Sequence, residues 1–162
     1  MMKRSSIFGT ILGVTALLAM LLLSGVAAAA DQHSGTWVMN PAKSKYSPGP
    51  APKNVTTKVE SDETHIKIDS EGTDGAGKPT HVEFDAKFDG KDYPATGLPI
   101  GDTVSAKRLG PRTVQITTKK DGKVVTTVTS KISADGKTRT STFHGKDAQG
   151  RAVHNVVVYD KQ

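Results

Sequence analysis

The chain has 162 residues, a formal net charge of +6 and no cysteine. Without a thiol it can have no disulfide staples, no cysteine-ligated zinc, no iron–sulfur cluster and no thiol nucleophile. Its lysines are scattered rather than gathered into a run, and no aromatic-rich basic strand is present to stack bases, which argues against nucleic acid as a partner.

Residues 1–30 have the three parts of a secretory leader. Lys3 and Arg4 start it, an apolar run covers 7–23, and small residues follow to Ala30. Small residues after the run, and no basic cluster behind it, favour cleavage after Ala30 over anchoring in a membrane. A lipid-anchored N-terminus is excluded because thioether attachment needs a cysteine. The expected mature domain is a single unit, 31–162, a common domain size.

The first predicted strand covers 35–40. Residues 41–53 form a Pro-rich loop, with Pro41, Pro48, Pro50 and Pro52, and its second half cannot be helical. Residues 55–60 and 65–69 alternate, with Val55, Thr57, Val59, Ile66 and Ile68 on the inward side. Residues 70–79 read as a Gly-rich connection. Residues 81–88 are the clearest amphipathic strand: Val82, Phe84, Ala86 and Phe88 oppose His81, Glu83, Asp85 and Lys87. Residues 91–96 contain Pro94 and predict an edge or bulged strand.

A loop over 97–102 carries Leu98 and Ile100. Strands are then predicted over 103–109, 113–119, 123–132, 138–145 and 152–159. The last places Val153, Asn155, Val157 and Tyr159 on one face. Asp89-Gly90, Asp121-Gly122 and Asp135-Gly136 supply the positive φ that tight hairpins need. The result is an all-β, up-and-down antiparallel meander of nine to ten strands. Greek keys need long crossovers, for which only the Pro-rich loop and 70–79 could serve, so an up-and-down barrel is the simpler closure, and it removes the exposed edges.

Two ends of the expected domain resemble a known group. Ser34-Gly35-Thr36-Trp37 is similar to the Gly-x-Trp opening of the calycins, the lipocalins and fatty-acid-binding proteins. Val157-Val158-Tyr159-Asp160-Lys161 resembles the close of the intracellular lipid-binding proteins. Trp37, Asn40 and the 43–50 stretch, Lys-Ser-Lys-Tyr-Ser-Pro-Gly-Pro, resemble small exported bacterial proteins of unassigned function. The resemblance implies a lipocalin-like barrel around a ligand cavity. The chain departs from the fatty-acid-binding proteins in two places. A Pro-rich loop stands where they carry two lid helices. Val157 stands where they carry the arginine of an Arg-x-Tyr carboxylate anchor.

Candidate ligand-binding residues are Trp37, Arg108, Asn155 and Tyr159. Trp37 is a floor anchor or a stacking platform. Arg108 shares a face with Val104 and Ala106, an inward cation with no obvious acid. The Tyr159 hydroxyl needs a partner, for which Asn155 or a ligand serves. The five histidines are dispersed and read as surface imidazoles; His144 and His154 become neighbours only in one strand register. Asp69 with Glu71, and Glu83 with Asp85, read as solvated faces. No metal site, cofactor or catalytic set is expected.

The functional expectation is a non-enzymatic, exported binding protein, periplasmic or secreted from a bacterium. It is a monomer without a membrane span after cleavage, and it holds a small hydrophobic or amphipathic ligand or meets an anionic envelope component. The alternative is an interaction module of the cell envelope with a filled interior, docking partners through its Pro-rich loop or a sheet edge.

Overall fold

The computed structural model describes residues 31–162; the leader expected over 1–30 lies outside the described residues. Ten strands follow in chain order: β1 Gly35–Met39, β2 Asn54–Ser61, β3 His65–Thr73, β4 Pro79–Lys87 and β5 Tyr93–Thr96. Then come β6 Thr103–Gly110, β7 Thr113–Lys120, β8 Lys123–Ile132, β9 Thr138–Lys146 and β10 Ala152–Lys161. Each pairs antiparallel with the next, and β1 also pairs with β10, so the sheet closes on itself as a barrel. The expected meander is therefore the observed one.

Turn chemistry sets the register. Asp121 (φ 49°) and Gly122 (φ 74°) both take positive φ between the paired residues Lys120 and Lys123. That is the two-residue hairpin geometry whose twist matches the flanking strands. At Gly97, a Cβ would lie 1.7 Å from the His81 carbonyl oxygen, so the chain crosses β4 there only because no side chain is present.

Two elements differ from the sequence expectation. β3 and β4 run deep into the stretch read as a Gly-rich connection, leaving only 74–78 as turn. Asp74 makes this possible: its Oδ1 accepts from the backbone N–H of Ala76 (2.9 Å) and Lys78 (2.8 Å). β5 starts at Tyr93 rather than at 91. It shares only two register pairs with β4 and two with β6, as Pro94 removes one ladder donor.

The Pro-rich loop begins with a single 3-10 turn, Pro41–Lys43, whose N-cap Asn40 side chain accepts from the Lys43 N–H. The loop then lies back on the barrel. Lys45 and Val156 exchange two backbone hydrogen bonds of 2.7 and 2.8 Å, and the Ser47 N–H donates to Asn155 Oδ1 at 2.8 Å.

Inward residues of successive strands form one core, including Trp37, Ile66, Val104, Val114, Ile132 and Tyr159. Among the described residues no helix is long and apolar enough to cross a membrane.

Ile66 is fully enclosed and Leu109 is more than half exposed. Ile66→Ala is expected to cost about 2–5 kcal/mol in urea unfolding, whereas Leu109→Ser changes stability by less than about 0.5 kcal/mol. Similar midpoints for the two variants would contradict an enclosed core at Ile66.

Candidate functional site

Strand pleat divides each β-strand into an outward row and an inward row. The inward rows do not fill the barrel. They leave a cavity of about 490 Å³, within the range of small-molecule sites. Its middle is walled by apolar side chains, among them Ile68, Phe84, Val104, Ile116, Val128 and Phe143. Two hydroxyl pairs interrupt that wall. Thr57 Oγ1 and Ser70 Oγ lie 2.9 Å apart, and Ser130 Oγ and Ser141 Oγ lie 2.7 Å apart. Each pair consists of register partners on adjacent strands that line the cavity, so the hydroxyls satisfy one another within the wall.

The two ends of the lumen differ. The mouth is rimmed by Tyr46 and Pro52 of the Pro-rich loop, by Asp74, by Leu98 and Ile100, and by Asp147. Asp74 and Asp147 are the carboxylates among the lining residues. Both are occupied by their own turns. Asp147 accepts from the Arg151 backbone N–H at 2.9 Å and from Arg151 Nε at 2.6 Å.

The floor is built from Trp37, Arg139 and Tyr159. Trp37 is fully enclosed, and its Nε1–H donates to the His33 carbonyl at 2.9 Å. Arg139 on β9 lies directly across from Tyr159 on β10. Its guanidinium carbon sits 4.4 Å from the Tyr159 ring centroid and 5.7 Å from that of Trp37. Arg139 is 6 % exposed, and its Nε is buried with no hydrogen-bond partner. Among the described residues no carboxylate lies within ion-pair distance of it.

Burial pushes the Arg139 pKa down, yet a guanidinium stays charged at any ordinary pH. Burial raises the Tyr159 hydroxyl, with Arg139 opposing, and pushes Tyr46 up to about 12 with Tyr159 adding to the rise. Both hydroxyls are thus neutral donors near pH 7, and neither supplies a counter-charge. The lumen ends in a buried cation that nothing in the described chain neutralises.

The four residues picked from sequence divide evenly. Tyr159 and Asn155 line the cavity. The Asn155 side chain binds the Pro-rich loop through Ser47, not the Tyr159 hydroxyl. Trp37 lies beneath the lining, consistent with the floor-anchor reading. Arg108 points inward as its parity requires, but it does not line the cavity and it has its acid: Asp31. It also donates to the Asp62 carbonyl at 2.7 Å and stacks 4.4 Å from the Phe88 centroid.

Arg139 was missed. The available signal was its parity with Phe143, which points inward; the missing one was the β9–β10 register that sets it against Tyr159. His33 also departs from the surface reading, being 1 % exposed. His144 and His154 do face each other across β9 and β10, rings 4.4 Å apart and edge to face. On the outer wall, His81 sits opposite Glu71, and one ligand atom each from Asp69, Glu71 and His81 fall within 4.8 Å of one another. His81 Nε2 is 3.0 Å from Asp69 Oδ1, an ion pair when the imidazole is protonated.

No protein-family model matches the chain, and no curated protein matches it. Among solved structures, the zebrafish ileal bile acid-binding protein complexed with cholic acid is similar at 12 % identity and a TM-score of 0.48. That match covers 81 % of this chain and 99 % of the other. A de novo designed fluorescence-activating β-barrel is similar at 12 % identity and a TM-score of 0.43, over 82 % of this chain and 96 % of the other. Neither likeness is strong enough to bear on function, which has to be read from this chain's own lumen.

An unneutralised buried guanidinium destabilises the ligand-free barrel. Arg139→Met keeps the volume and removes the charge, so it is expected to raise stability by about 1–3 kcal/mol in urea unfolding of the ligand-free protein. A lowered midpoint would mean that the aromatic contacts outweigh the desolvation.

Proposed function

We propose that this barrel is an exported, non-enzymatic binding protein for a small amphipathic molecule whose apolar body fills the lumen and whose anionic end meets Arg139. The single observation that carries the reading is a buried guanidinium, without a counter-ion, at the blind end of a mostly apolar cavity. A charge in that position is costly until an anion arrives, and a charge-assisted hydrogen bond inside a low-dielectric lumen then returns that cost. The stacked Tyr159 ring holds the guanidinium plane, and its neutral hydroxyl adds a donor.

The apolar wall supports a hydrocarbon or fused-ring body rather than a sugar. Export, to the periplasm or the medium, is supported by the leader-like composition of residues 1–30. The alternative of an interaction module with a filled interior is disfavoured by the size of the lumen. The Pro-rich loop is also partly engaged, since Lys45 and Ser47 bind β10.

The test is displacement of a fluorescent apolar probe at pH 7 by decanoate and by decanol. Decanoate is expected to bind about 10–100-fold more tightly than the alcohol, the worth of hydrogen bonds to a charged group. Arg139→Met is expected to erase that preference while leaving the alcohol's affinity unchanged. Failure of the probe and both competitors to bind would remove the binding-protein reading altogether.

A further inference from the structure

Below the lumen, residues 31–34 fold under Trp37 as a small plug. The Ser34 N–H donates to the Asp31 carbonyl at 2.9 Å, and the His33 N–H to Asp31 Oδ1 at 2.8 Å. Ser34 Oγ ties the segment to β2, donating to the Ser61 carbonyl and accepting from the Ser61 N–H, both at 2.9 Å. The Asp31 carboxylate closes the arrangement by pairing with Arg108 of β6. Trp37 rests on this segment through its bond to the His33 carbonyl.

Within the 31–34 segment, His33 is the weak point. The His33 imidazole is 1 % exposed, and its Nε2 has no hydrogen-bond partner. The charged groups acting on it are Asp31 on its own segment, Arg108 from β6, Arg139 from β9 and Lys161 from β10. One acid therefore stands against three cations, and that acid is already bound to Arg108. The site accepts a neutral imidazole and has no place for an imidazolium.

We propose that the 31–34 segment is an acid-released plug: protonation of His33 drives it off the barrel floor and opens the lower end of the lumen while the strands stay paired. Burial, opposed by Asp31 and reinforced by the three cations, lowers the His33 pKa to about 4 from an ordinary 6.5. The closed form thus favours the neutral ring, and the open form takes up a proton at the ordinary value. The plug's advantage is complete above pH 6.5 and is lost as pH falls from there toward 4. Arg139 and Trp37 lie directly above the plug, so its release exposes the floor of the cavity. This consequence for a bound ligand rests on the binding reading above; the opening itself does not.

Trp37 is the only tryptophan, so the ligand-free protein reports its own floor. Between pH 7 and pH 4.5, tryptophan emission is expected to shift to the red while the far-ultraviolet strand signal holds. His33→Gln, which cannot gain the charge, is expected to flatten that shift. If His33→Gln does not fold, the wild type still decides: exchange of the Trp37 indole N–H, corrected for its intrinsic pH dependence, is expected to rise about tenfold between pH 7 and pH 5. The proposal is overturned by emission unchanged down to pH 4.5, by the same shift in a folded His33→Gln, by indole exchange that does not rise, or by loss of the strand signal together with the shift. Because no ligand is added, none of these outcomes depends on what the lumen binds.

Discussion

Closure of the sheet through β1 is the constraint on which the rest depends. A ten-strand meander with free edges would leave two rows of unpaired backbone donors and acceptors. Here the five residues of β1 take β2 on one side and β10 on the other. Trp37 sits at the centre of that short strand, and its register partners are Thr57 and Lys161. Once the ends meet, the inward row of every strand faces a common interior. The number of strands then decides that the interior is wider than its side chains can fill.

A lumen that side chains cannot fill has to be walled by groups that tolerate a poor solvent. The wall solves this with aliphatic and aromatic side chains and with hydroxyls paired across strands. The floor handles it differently at two neighbouring points. Arg108 has an acid, two oxygen acceptors from residues 61 and 62 and an aromatic face, so its charge is neutralised and serves to bind Asp31. Arg139, on the next inward cation position around the floor, has aromatic faces and no acid. Two arginines of the same chain thus divide between holding the structure closed and leaving a charge without an acid.

The same floor holds buried polar groups that the barrel does not fully satisfy. Arg139, Arg108 and the neutral ring of His33 each bury one nitrogen with no hydrogen-bond partner among the described residues. Groups of this kind persist where they do something that an apolar side chain cannot. On the readings proposed above, Arg108 holds the 31–34 segment, Arg139 offers an anion a partner, and His33 makes the seal beneath it sensitive to acid.

Local sequence was sufficient for the barrel's strands. Period-two alternation, Asp-Gly turns and β-branched runs act over a few residues, and they marked nearly all ten elements and the inward parity of Val104, Arg108, Asn155 and Tyr159. It was insufficient wherever the outcome depended on which residue stands across a ladder or comes back from far along the chain. The acid that neutralises Arg108 lies 77 positions away, the cations acting on His33 come from β6, β9 and β10, and Arg139 meets Tyr159 only because the β9–β10 register sets them face to face. Alternation tells which side of the sheet a residue occupies; only the closed barrel decides what it meets there, because desolvation and pairing are properties of the enclosed space and not of the strand that supplies the side chain.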